Sequence, residues 1–152
     1  MKKFPVDKLL ALLTVACFLL TSCSKNDSDS SYDLAGDWKV VYFLDNGNKI
    51  TKTEDNTWLD LNNGDITASF SEPNDKGAGT VSGITVTNGY NGEYTLEDNC
   101  KITISPVSTT FINEPEWTEL YKISAAERFE IRNSELLIYY NNGNTVIAFE
   151  RN

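Results

Sequence analysis

The chain has 152 residues, 22 Asp and Glu against 13 Lys and Arg, a net charge of −9 and no histidine. Its length suits one domain with one core. The acidic balance excludes nucleic acid as a partner, because phosphate binding needs a cationic surface. The missing imidazole removes Ser-His-Asp triads, His-ligated metal sites and the commonest general base.

The chain opens with Lys2 and Lys3, continues with a twelve-residue apolar run, Leu9 to Leu20, and reaches Leu20-Thr21-Ser22-Cys23. Such a run is too short to span a bilayer, which takes roughly 20 residues. The basic start, apolar run and small residues before a cysteine together resemble the lipobox of bacterial lipoproteins. That resemblance implies that residues 1–22 are a signal peptide removed on export and that Cys23 is lipidated. The membrane is then a partner through the lipid on Cys23, and the location is the cell envelope. Ser24 in place of Asp after the cysteine implies passage to the outer membrane. The Lys- and Asp-containing start of the mature chain is also similar to cell-surface signals in some Gram-negative phyla, although an ordinary solvated linker has the same composition. Removing residues 1–22 leaves 130 residues with 10 basic and 21 acidic side chains, a net charge of −11.

Residues 23–33 read as the lipidated cysteine and a flexible polar tether. The stretch Ser24 to Ser31 has no aliphatic side chain whose burial could offset the entropy of ordering it. The folded domain is expected over 34–152. Cys17 leaves with the signal and Cys23 takes the lipid. Cys100 falls on the same face as Ile102 and Ile104, so it reads as a small, inert, buried hydrophobe. Small secreted domains usually rely on paired cysteines; here the core has to hold the fold.

From Leu34 onward the pattern is short runs of period two, punctuated by Asn, Asp and Gly. Trp38 to Leu44 reads as a first strand ending in the turn Asp45-Asn46-Gly47-Asn48. Thr57 to Leu61 and Ile66 to Phe70 are expected to pair across Asn62-Asn63-Gly64-Asp65. Thr80 to Thr87 is β-branched, with a bend or bulge at Gly83. Glu93 to Leu96 pairs with Cys100 to Ser105, and Val107 to Phe111 continues that edge. A single change of period follows. Asn113, Pro115 and Glu116 carry helix-start features, and Trp117, Leu120, Tyr121 and Ser124 fall on one stripe. This predicts one helix over about 114–125. Phe129 to Arg132, Leu136 to Tyr140 and Thr145 to Arg151 close the chain, the last two joined by Asn141-Asn142-Gly143-Asn144. The expected fold is mainly β: an antiparallel meander of about eight or nine strands, forming a small barrel or strongly twisted sheet with the helix packed on it.

The order of elements resembles the META domain, the family of a bacterial heat-shock lipoprotein. That family opens with Leu-x-Gly-x-Trp, matched by Leu34, Gly36 and Trp38. Its central Gly-Cys-Asn-x-x-x-Gly-x-Tyr is kept at Asn88, Gly92 and Tyr94, and the closing Phe-Glu-Arg at Phe149-Glu150-Arg151. The family's central Cys is Thr87 here, its preceding Gly is Val86, and its Met-Ala-Cys is absent, so the family's cysteine pair has no counterpart. The resemblance implies a non-enzymatic envelope protein with an interaction or stress-tolerance role. Asn88 and Gly92 are expected to shape a turn, since both residue types tolerate positive φ, with Tyr94 packed beneath.

Lipocalins, which also begin Gly-x-Trp and build an eight-stranded meander, are the second resemblance; they would make the protein a carrier of a small apolar ligand. The two differ inside: META-like domains are filled by their own side chains, lipocalins keep a cavity. The partner is accordingly an unknown envelope protein or a small molecule. No catalytic constellation, metal site or cofactor is expected. Gly77, Gly79, Gly83, Gly89 and Gly92 sit between strands instead of opening a phosphate-binding helix, and paired carboxylates arise by chance among so many acids.

Overall fold

The computed structural model describes residues 34–105 and 107–152. The expected signal peptide at 1–22 and the tether at 23–33, Cys23 included, lie outside the described residues. Ten strands follow one another: β1 (Gly36–Asp45), β2 (Asn48–Thr51), β3 (Thr67–Phe70), β4 (Ala78–Ile84), β5 (Gly89–Glu97), β6 (Lys101–Ile104), β7 (Ser108–Thr109), β8 (Arg128–Arg132), β9 (Glu135–Tyr140) and β10 (Thr145–Arg151). They form one antiparallel sheet in the order β10-β9-β8-β6-β5-β4-β3-β1-β2, and β10 also pairs with β1. The expected meander is thereby present, curled partly into a ring of eight strands with β2 and β7 as short additions. Closure is thinnest between β6 and β8, where the register holds only Lys101 opposite Arg128.

Turn chemistry sets the hairpins. Asn46 and Gly47 take φ of 49° and 83° between β1 and β2, and Asn141 and Asn142 both take 55° before β10. Left-handed positions of this kind match the twist of the flanking strands and favour Asn and Gly. Two more such turns, at Asn99-Cys100 and Asn133-Ser134, also have positive φ throughout. Cys100 therefore belongs to the β5–β6 turn and not to a strand. It is half-buried against the core.

The interior of the ring is the core. Strict alternation would put Trp38 and Phe43 on opposite faces, yet both are fully enclosed. A β-bulge at Val41, where the pairing of β1 with β10 slips between Val40 and Tyr42, reconciles them. Phe70, Tyr94, Ile102, Leu136, Ile138, Ile147 and Phe149 join the same cluster. Each fully enclosed side chain of this size contributes about 2–3 kcal/mol. On the other face of the same strands, Leu137, Val146 and Ala148 form a second, smaller cluster with Val41, Tyr42 and Leu44.

Two expectations need correction. The segment predicted as a helix over 114–125 is two single 3₁₀ turns, Glu116–Thr118 and Ile123–Ala125. Pro115 is extended at ψ 163°, without a side-chain cap, and Lys122 breaks the run at ψ 59°. Distant partners take the backbone groups a helix would have used: Trp117 N–H donates to Asn56 O at 2.8 Å, and Leu120 O accepts from the Tyr140 hydroxyl at 2.8 Å. Trp117 is buried as expected, but Ile123 takes the inward place assigned to Ser124, which is exposed. The strand expected over Thr57 to Leu61 is irregular chain leading to a 3₁₀ turn at Asn62–Gly64. Its Trp58, Leu59 and Leu61 are exposed, so neither Trp58 nor Leu61 fills the barrel.

Candidate functional site

The motif positions fall in three places. At the end where the described chain starts and stops, Gly36 has φ +123°, and a Cβ there would stand 2.3 Å from Arg151 Nη1. Arg151 uses that space to donate to Ala35 O at 2.7 Å and lies 3.9 Å above the Trp38 ring. Trp38 Nε1 donates to Leu34 O at 2.9 Å. Gly36 and Trp38 are thus held by Arg151 into a clamp that fastens β10 to β1, through a cation–π contact between residues far apart in the chain.

Asn88 sits in the β4–β5 connection, 5% exposed. Its Oδ1 accepts from Ile112 N–H at 2.8 Å and Thr110 Oγ1 at 2.9 Å. Its Nδ2 donates to Ile112 O at 2.8 Å and Glu114 Oε1 at 2.6 Å. Thr85 Oγ1 donates to the same carboxylate oxygen. Neither Asn88 nor Gly92 has positive φ, which corrects the expected role of both. Asn88 works through its side chain, pinning residues 110–114 to the hairpin. Gly92 lies inside β5, where an added Cβ would come no closer than 3.4 Å, to Val107 Cγ2. Two glycines of β4 have no room: a Cβ on Gly83 would meet Thr67 O at 2.0 Å, and one on Gly79 would meet the Tyr94 ring at 2.6 Å. Tyr94 is buried in the core, edge-on to Phe70, with its hydroxyl donating to Ser71 O at 2.6 Å.

The 115–126 segment packs across the barrel interior. Trp117 meets Phe43 edge-on at 4.8 Å between centroids, and Tyr121 meets Phe149 at 6.3 Å. The Tyr121 and Tyr90 hydroxyls are 2.5 Å apart, and Tyr90 donates onward to Thr67 O at 2.8 Å. Burial raises both phenols well above their ordinary range, so neither serves as a base near neutral pH. A shallow groove of about 630 Å³ runs outside the barrel past Asp37, Ser69, Ser82, Asn91 and Thr110, open to solvent. Among the described residues no group of three or more His, Cys, Asp or Glu could hold a metal ion. The structure therefore distributes Gly36, Trp38, Asn88, Gly92 and Tyr94 along the barrel instead of gathering them, and Cys23 lies outside the described residues.

No family model matches the chain, and no curated protein matches it. It is similar to a solved structure, the crystal structure of a DUF4847 family protein from Bacteroides vulgatus ATCC 8482. The identity is 20%, the TM-score 0.56, and the match covers 78% of this chain and 93% of that one. The likeness is one of fold: an antiparallel, barrel-like β architecture.

Sequence reasoning missed Glu114, read as part of a helix start, and Arg151, which lies 115 positions after its clamp partner Gly36. It also missed Tyr90 with Tyr121. Spacing along the chain carries no sign of any of these pairings.

Proposed function

We propose that this protein is a lipid-anchored lipoprotein of the cell envelope, held at the outer membrane through Cys23. Its META-like domain acts by binding a partner at its surface, in an interaction or stress-tolerance role, and performs no catalysis. One observation carries the choice between surface and interior. The space that a carrier would leave for a ligand is occupied by Trp38, Phe43, Ile138, Ile147 and Phe149, all fully enclosed, with Trp117 and Tyr121 packed onto them. An eight-stranded barrel is only just wide enough for side chains or one small ligand. Asn88 supports a non-enzymatic reading as well, since its side-chain amide is taken up by structural bonds to Ile112, Thr110 and Glu114 Oε1.

The anchor rests on the Lys2-to-Cys23 pattern, and palmitate labelling with membrane fractionation tests it. Wild type is expected to take up label and pellet with membranes, and Cys23→Ala to do neither; a Cys23→Ala protein that is still labelled or still sediments contradicts the reading. Several acyl chains, at about 0.8 kcal/mol per buried CH₂, make such attachment effectively permanent.

A further inference from the structure

We infer that the surface formed by residues 53–61, Ile84 and 110–119 docks a basic, apolar segment of another protein. The inference takes from the reading above only that the domain works by binding a macromolecule, and it does not need the lipid. The large hydrophobic side chains that stand exposed among the described residues are Trp58, Leu59, Leu61, Ile84, Phe111 and Ile112, and Phe111 is fully exposed. They come from three separate parts of the chain, which hydrogen bonds bring together at 112–117. Thr85, next to Ile84, bonds Glu114; Asn88 bonds both backbone groups of Ile112; and Asn56 O accepts from Trp117 N–H at 2.8 Å. The display is thus fastened at its base, through Asn88 and Trp117, while its apolar tips point to water. Exposed apolar residues gathered in one region mark interaction sites more often than singly scattered ones do.

Charge selects the occupant. Residues 53–61 and 110–119 present the exposed Glu54, Asp55, Asp60, Glu116 and Glu119 and contain no Lys or Arg, while the Glu114 carboxylate is turned inward to Asn88 and Thr85. A second copy would set this acidic surface against another of the same sign, in a protein of net charge −9. A phospholipid surface would bring phosphates toward the same carboxylates. A segment with Lys or Arg flanking aliphatic or aromatic side chains satisfies both features, the charges steering the encounter and the apolar contacts holding it.

The test uses the full-length protein in nanodiscs of zwitterionic lipid, with empty discs subtracted, and a fluorescent amphipathic Lys/Leu helix as probe. The probe is expected to bind saturably and more weakly as salt rises, while a Glu/Leu helix does not bind. Phe111→Ser with Ile112→Ser, and separately Trp58→Ser with Leu61→Ser, should each weaken binding about tenfold with unchanged melting temperature. Glu116→Gln with Glu119→Gln should flatten the salt dependence. Probe binding that is absent, or equal in wild type and the apolar variants, overturns the inference. So does concentration-dependent dimerisation, or binding to anionic vesicles, that the same apolar variants abolish. These outcomes leave the anchor untouched, which palmitate labelling reads separately.

Discussion

Replacing Asn88 by Ala isolates the polar node from everything else in the fold. The change removes bonds to Ile112 N–H, Ile112 O and the Glu114 carboxylate, all between 2.6 and 2.8 Å, together with one at 2.9 Å from the Thr110 hydroxyl, which is exposed and turns to water instead. A neutral bond contributes about 1 kcal/mol net and one to a charged group about 2, so the summed loss is about 4 kcal/mol if the space stays dry. Ile112 is 61% exposed, and water reaching its backbone recovers part of this. A loss of about 2–3 kcal/mol is therefore expected, which for a domain of this size lowers the melting temperature by about 8–12 °C. Asn88→Asp sets a second carboxylate against Glu114 and should be at least as damaging. Thermal melts followed by circular dichroism give the magnitude. Amide hydrogen exchange at Ile112 gives the location: it should accelerate in Asn88→Ala far more than exchange at Ile138 in the core. A melting temperature within about 2 °C of wild type, or uniform acceleration across the barrel, would refute the reasoning.

Two further expectations concern backbone crowding and ionisation. Gly83→Ala should cost about 3 kcal/mol or prevent folding, because its Cβ would lie 2.0 Å from Thr67 O, whereas Gly92→Ala, with 3.4 Å to its nearest neighbour, should change stability by less than about 1 kcal/mol. Equal melting temperatures for the two variants would contradict the geometry. Burial raises Tyr90 and Tyr121 above the ordinary phenol range, and Tyr94 and Tyr140 are raised for the same reason. The folded state then holds these protons to higher pH than the unfolded chain does. Their stabilisation is complete below pH ~10 and is lost as the pH rises further. Melting temperature should fall steeply above that point, and Tyr121→Phe should remove part of the fall. Phenolate absorbance from Tyr90 or Tyr121 near pH 10 in folded protein would show the assignment to be mistaken.

What could be read from the chain was local. Asn46-Gly47 and Asn141-Asn142-Gly143 are turns because the residues themselves favour left-handed φ, so hairpin boundaries followed directly from their positions. The strand alternation in Lys101–Ile104 and in Thr67–Phe70 likewise gave their buried faces. What stayed hidden depends on partners far away. The 115–126 segment has a helical stripe, but its backbone is claimed by Asn56 and Tyr140, which no window around Trp117 contains. Trp58 and Leu61 look like an inward face until the chain is seen to leave them in solvent. The bulge at Val41 moves Phe43 inward only because β10 is there to slip against. The motif glycines misled for a related reason. Gly92 matches a pattern but has room around it, whereas Gly79 and Gly83, which match none, face Tyr94 and the Thr67 carbonyl.

The central claim is that the barrel is filled by its own side chains and the protein therefore acts from its surface. Native mass spectrometry tests this most directly, on full-length protein released from nanodiscs, alone and after incubation with fatty acids, haem and retinoids. The account predicts the mass of the processed, acylated chain and no further adduct that survives desalting. A stoichiometric adduct of the wild-type protein with any of these ligands, kept in the Phe111→Ser with Ile112→Ser variant, would contradict it and make the protein a lipocalin-like carrier.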